Sequence, residues 1–178
     1  TASGPVTVNL ATTTAQNTVG AGTDTITNVE NLTGSNFDDN LTGDANNNII
    51  EGGLGNDTLN GAGGTDTVSY ANASGGVTAS LANQGVAGTD TSGAAGSDTL
   101  SNFENILGSA SADTLTGDAN NNVIEGGLGN DTISGGTGGT DTVSYVGADG
   151  AVTVNLAGQG VAGTDTTGAA GADTLSNI

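Results

Sequence analysis

The chain has 178 residues, with 19 Asp and Glu, no Lys, Arg or His, and a formal charge of −19. Without a basic side chain to neutralise phosphate, nucleic acid and anionic membrane surfaces are excluded as partners, and no apolar run approaches the ~20 residues that span a bilayer. Cys is absent as well, so disulfides do not staple the fold, and the carboxylates must face water, repel one another or hold metal.

The first predicted strand is Val6-Thr7-Val8-Asn9-Leu10, apolar at every second position. Asp24 follows in Gly22-Thr23-Asp24-Thr25-Ile26, a G-x-D-T-U context in which U is a large aliphatic residue. From residue 34, four nonapeptides run without a gap: 34–42, 43–51, 52–60 and 61–69. Their eighth positions are Leu41, Ile50, Leu59 and Val68. Each is a glycine-rich turn followed by three residues, long enough for a short strand with one inward apolar side chain between outward small or polar ones. Ile49 fits this less well, because it should point outward. Val77-Thr78-Ala79-Ser80-Leu81 repeats the alternation of residues 6–10. A Gly, Ala and Thr-rich stretch comes next. Within it Gly85–Asp90 has the turn half of a repeat without an apolar eighth position, and Gly93–Ser101 is again a nonapeptide, carrying Asp98 and Leu100. A solenoid that continues as a looser coil is expected over 82–97 and 157–172.

The pattern then returns. Asn28–Ser35 recurs at Asn102–Ser109, a shift of 74, and Thr65–Tyr70 recurs at Thr140–Tyr145, a shift of 75. The extra residue falls within Gly135–Gly139. The eighth positions of the second block are Leu115, Ile124, Ile133 and Val143, and a third alternating strand is Val152-Thr153-Val154-Asn155-Leu156. The 74–75-residue superrepeat divides the chain into a partial unit 1–33, a full unit 34–107 and a truncated unit 108–178, read as one continuous solenoid. The chain stops in mid-repeat, as a segment of a longer array would.

Two stretches, Gly52–Asn60 and Gly126–Ser134, read G-G-x-G-x-D-x-U-x in full. Glycine permits the positive φ of a tight turn, while the one Asp aims a carboxylate into it. By these residues the chain resembles the RTX (hemolysin-type calcium-binding) repeat family. The resemblance implies an all-β fold, a calcium-bound parallel β-roll or β-solenoid, with multiple Ca2+ ions between successive coils. It also implies two nonapeptides per turn, so that repeats i and i+2 stack and pair Asp39 with Asp57, Asn48 with Asp66, Asp113 with Asp131, and Asn122 with Asp141. Stacked carboxylates ~4.8 Å apart repel by roughly 0.9 kcal/mol even when fully hydrated, and a divalent cation between coils reverses the sign. Donors that are all oxygen suit Ca2+, which accepts irregular geometry, better than Mg2+, and zinc lacks His or Cys.

Carried over from the family, the first-rank ligands are Asp39, Asp57, Asp66, Asp113, Asp131 and Asp141. Asn48 and Asn122 depart from the pattern at position six and keep only a carbonyl oxygen. Asp24, Asp98 and Asp173 lie in G-x-D-T-U contexts where turn capping is the alternative, and Asp90 and Asp165 lack the apolar partner. Glu30 and Glu104 read equally as ligands or as a solvated strand face. Glu51, Glu125, Asp44 and Asp118 read as outward charges, and Tyr70 and Tyr145 as covers over the core edge.

No His, Cys or Lys is present to act as base or nucleophile, and every carboxylate recurs from unit to unit as in a scaffold, so no catalysis is expected. The role expected from the resemblance is a structural calcium-binding segment of a large secreted or cell-surface repeat protein, in the manner of bacterial adhesin extenders, surface layers or fibres. Such a chain would be unfolded at low calcium inside the cell and rigid outside it. The alternative is the folding and secretion module of a secreted protease, lipase or epimerase. End-to-end self-association into filaments is expected from open solenoid ends. Ice or polysaccharide binding needs a flat row of identical Thr, which Asn36, Ala45, Leu54 and Gly63 at position three do not provide. At one coil per 18 residues, the segment would be on the order of 50 Å long.

Overall fold

Most strands form where a nonapeptide ends its glycine turn and places one inward aliphatic residue at its eighth position, and others form where residues 6–10, 77–81 and 152–156 alternate. The computed structural model describes residues 2–85, 91–158, 166–168 and 170–178. In chain order the described strands begin with β1 (Thr7–Asn9), β2 (Gln16–Val19), β3 (Gly22–Asp24), β4 (Asn31–Thr33), β5 (Asn40–Thr42) and β6 (Ile49–Glu51). β7 (Thr58–Asn60), β8 (Thr67–Ser69), β9 (Val77–Ser80), β10 (Thr91–Gly93), β11 (Thr99–Ser101), β12 (Asn105–Leu107) and β13 (Thr114–Thr116) follow. The last are β14 (Val123–Glu125), β15 (Thr132–Ser134), β16 (Thr142–Ser144), β17 (Val152–Val154), β18 (Thr166–Gly168) and β19 (Thr174–Ser176), with a 3-10 turn at Leu156–Gly158.

The fold is all-β, a parallel β-roll. One face is a parallel sheet in the order β4-β6-β8-β12-β14-β16. The other face carries two parallel stacks, β1-β5-β7-β11 and β9-β13-β15-β19. Repeats i and i+2 stack in register, Leu41 on Leu59 and Ile50 on Val68, as two nonapeptides per turn require. The eighth-position residues Leu41, Ile50, Leu59, Val68, Leu115, Ile124 and Ile133 are buried in one core with Leu100, Phe103, Ile106 and Leu175. Ile49 does point outward, as does Val123 at the matching position.

The looser coil expected over 82–97 and 157–172 is not what the described residues of these stretches form. β10 turns back antiparallel on β9, and β18 does the same on β17. β2 and β3 form a third antiparallel hairpin near the N-terminus. Each hairpin lets the chain overshoot one level. β9 stacks beneath β13 of the next unit, while β11, later in sequence, returns to stack on β7. The rise is therefore smaller than expected. Between β4 and β12, 74 residues advance the six-stranded sheet by three strands, so this sheet is only about 24 Å deep.

Candidate functional site

Each sixth-position residue directly precedes a strand, where its amide has no partner within its own coil, and a carboxylate reaches across to the coil stacked beside it. Asp39 Oδ1 accepts the Val6 amide at 2.7 Å, Asp57 Oδ1 that of Asp39 at 2.8 Å, and Asp98 Oδ1 that of Asp57 at 2.9 Å. The second unit repeats the ladder: Asp113 accepts from Val77, Asp131 from Asp113 and Asp173 from Asp131. On the six-stranded face Asp66 accepts from Asn48, and Asp141 from Asn122. Bonds of this charge-assisted kind are about twice as strong as neutral ones. Except for the half-buried Asp141, all these carboxylates are buried.

The glycine pattern follows from this side-chain placement. The carboxylate curls back under the first glycine of its own repeat: a methyl group at Gly52 would lie 2.1 Å from Asp57 Oδ2, and one at Gly126 would lie 2.2 Å from Asp131 Oδ2. Gly53 and Gly55, at positions two and four, have φ of +103° and +123°, a region that L side chains avoid.

Position two also decides what the second carboxylate oxygen meets. In the first repeats of each block it is Ser35 or Ser109, whose amide donates to Oδ2 of Asp39 or Asp113 while the hydroxyl donates to Oδ1. At Asp57 and Asp131 it is Gly53 or Gly127, at φ of +103° and +97°, and no amide donates to Oδ2. Asp57 Oδ2 and Asp131 Oδ2 are buried and, among the described residues, have no hydrogen-bond partner. Burial pushes each of these carboxyls up to about 7, with nearby carboxylates (Asp98 and Asp39 for the first, Asp173 and Asp113 for the second) adding repulsion. Asp66 is also raised, by burial first and then by Glu104 and Asp44.

The other expected ligands divide. Asp98 and Asp173 join the ladders. Asp24 does not: it sits on the hairpin strand β3, where its Oδ2 accepts the Thr18 hydroxyl at 2.7 Å, because no described coil stacks before β1 to present an amide. Asn48 and Asn122 lie in the stack with both polar groups engaged. Their Oδ1 atoms accept from Asp44 and Asp118, and their Nδ2 groups donate to the Glu30 and Glu104 carbonyls. Asp90 and Asp165 lie outside the described residues.

Three contributors were not legible as such in the pattern. Glu104 Oε2 accepts the Asp66 amide at 2.8 Å, taking a sixth-position role. The signal for it was available, since Glu104 precedes Ile106 by two residues as Asp66 precedes Val68. Tyr70 and Tyr145 do more than cover the core edge, for their hydroxyls donate to Asp98 and Asp173 at 3.3 and 3.2 Å. Position five forms an outer ladder, in which Asn56 and Asn130 accept the amides of Ser97 and Ala172.

Residues 33–68 and 107–143 match the family described as the RTX calcium-binding nonapeptide repeat, in four copies. These two blocks are RTX repeats. No curated protein and no solved structure matches the chain significantly. The RTX blocks make the chain a calcium-binding repeat segment, and its oxygen-only donors suit that ion. Among the described residues no three acidic side chains converge on a point, so turn carbonyls would have to supply most of an ion's ligands. Asp57 Oδ2 and Asp131 Oδ2, one in each RTX block, are the buried carboxylate atoms that, among the described residues, accept no hydrogen bond.

Proposed function

We propose that the chain is a non-catalytic, calcium-dependent structural solenoid of a secreted or cell-surface repeat protein, folding and stiffening on extracellular Ca2+ and able to join end to end. The observation that carries this is the pair of buried, unpartnered carboxylate oxygens at Asp57 and Asp131 in a chain with no cationic side chain. A buried anion without a partner is strongly unfavourable. Here only a proton or a bound cation relieves it, and at extracellular pH and millimolar calcium the cation prevails. Repetition supports the structural role: Asp39, Asp57 and Asp98 recur as Asp113, Asp131 and Asp173 with the same partners. Among the described residues no helix is long and apolar enough to cross a membrane.

Far-ultraviolet circular dichroism during a calcium titration, with magnesium as control, tests the proposal. A coil-to-β transition at about 0.1–1 mM Ca2+ that Mg2+ does not reproduce is the expected result. A β spectrum in excess chelator at pH 8 that calcium leaves unchanged would sink it.

A further inference from the structure

The four nonapeptides of each block do not treat position two alike. In the first two repeats it is Ser35 and Asp44, or Ser109 and Asp118, and none of these has positive φ. Each turns its amide onto the sixth-position side chain of its own repeat. Ser35 donates to Asp39 Oδ2 and Ser109 to Asp113 Oδ2, while Asp44 and Asp118 donate to Asn48 Oδ1 and Asn122 Oδ1 at 2.8 and 2.9 Å. In the last two repeats position two is Gly53 and Ala62, or Gly127 and Gly136, and all four lie at positive φ, from +73° to +107°. That turn carries the amide away from the carboxylate: Ala62 donates to Asn60 Oδ1 at 2.9 Å and Gly136 to Ser134 Oγ at 3.3 Å. Asp57 Oδ2 and Asp131 Oδ2 are left buried without a donor among the described residues, and Asp66 and Asp141 accept at Oδ1, from Asn48 and Asn122.

Handedness at position two thus sorts the coils. Residues 34–51 and 108–125 are closed on both edges, and the coils that follow, 52–69 and 126–144, are open on both. The second repeat is closed twice over. Asn48 and Asn122 present an amide where Asp66 and Asp141 present an anion, and their Nδ2 groups donate to the Glu30 and Glu104 carbonyls at 2.7 and 2.8 Å. Surroundings fix the orientation of this amide, since a flipped group would set oxygen against carbonyl and N–H against N–H. A neutral side chain bonded at both ends leaves a cation no charge to neutralise. The two kinds of coil also nest. The carbonyls of Ser35, Asp44 and Asp118 accept the amides of Leu54, Gly63 and Thr137, and a methyl group at Gly53 would lie 2.1 Å from the Ser35 carbonyl oxygen.

We propose that calcium loads only the open coils, with position two as the selecting residue. The repeats of Asp57, Asp66, Asp131 and Asp141 take ions, and those of Asp39, Asn48, Asp113 and Asn122 take none. The inference deepens the calcium-dependent role proposed above and rests on that reading. In the open repeats a carboxylate oxygen lacks a protein donor, and burial of that anion at Asp57 and Asp131 is unfavourable until a cation meets it. In the closed repeats the chain has already supplied the donor from its own backbone. Each block therefore alternates a coil held by protein hydrogen bonds with one held by ions.

Calcium bound per chain at saturation tests the assignment, read by equilibrium dialysis on protein whose circular dichroism is β. Asp57→Asn/Asp131→Asn should lose one ion for each substitution, and Asp66→Asn/Asp141→Asn should do the same. Asp39→Asn/Asp113→Asn, on closed repeats, should keep the wild-type count. A second closed-repeat variant, Asn48→Asp/Asn122→Asp, guards against misfolding of the first. It should gain no ion, because the Asp44 and Asp118 amides cap the new carboxylates. Equal losses from the Asp39 and Asp57 pairs, or an ion gained for each substitution in Asn48→Asp/Asn122→Asp, overturn the assignment and leave calcium dependence standing. A wild-type count of zero would instead sink the proposed function itself.

Discussion

At the scale of single residues, Asp57 and Asp131 tie the stability of the chain to both protons and calcium. Their folded carboxyls hold protons up to about pH 7, whereas unfolded ones release them near the ordinary value of about 3.8. The metal-free fold therefore has this contribution in full below about pH 4 and loses it as pH rises towards 7. Calcium requires the anion, so its affinity should grow over the same range. In chelator, the β content should be lower at pH 8 than at pH 5. The double variant Asp57→Asn/Asp131→Asn should flatten that difference and reduce the calcium bound, as read by circular dichroism and calorimetry. Asn48 and Asn122 show that an amide fits the stack at this position. A second prediction concerns the glycine above the carboxylate. Gly52→Ala places a methyl group 2.1 Å from Asp57 Oδ2 and should cost about 1–3 kcal/mol in chemical denaturation with calcium present. An unchanged midpoint would mean the side chain moves aside freely.

Strand-sized elements carry the core in single inward residues, and here the sequence was most informative. The eighth-position aliphatics could be read from spacing, since a period of nine with a fixed glycine turn leaves one register that buries them, while the i, i+2 pairing came from the family resemblance. Leu59→Ala or Ile133→Ala, each at 0% exposure, should cost about 2–5 kcal/mol. Val154→Ala, at a side chain that is 41% exposed, should stay within about 0.5 kcal/mol, with equilibrium unfolding in calcium as the measurement. The hairpins were not legible. Residues 91–93 follow a turn-like GVAGTD segment and run into the first residue of a good nonapeptide, and nothing local distinguishes a parallel coil from an antiparallel return. The same limit explains Asp24: its context matches Asp98 and Asp173, but a cap needs a stacked amide, and that depends on which coil lies beneath. Glu104 was missed for the opposite reason, because its role follows from phase and its residue type departs from the motif.

For the whole molecule, charge dominates. Nineteen acidic residues and no basic ones oppose compaction at neutral pH and are screened by salt. Monovalent salt should therefore lower the calcium midpoint modestly without replacing the ion, because Asp57 and Asp131 lie beyond the reach of screening solvent. A calcium titration at about 0.05 and 0.5 M NaCl checks this; a full transition driven by NaCl alone would assign the effect to surface repulsion. The backward placement of β11 on β7 also bears on how such a chain acquires its structure. Within a block, successive contacts close over 18 residues, but Asp57 must find Asp98 across 41. Longer loops cost more entropy to close, and non-local contacts slow folding. A chain emerging from one end would thus add coils quickly, halt at each hairpin until the later strand arrives, and then resume. Folding would proceed in strokes of one superrepeat, with the pause written into the strand order.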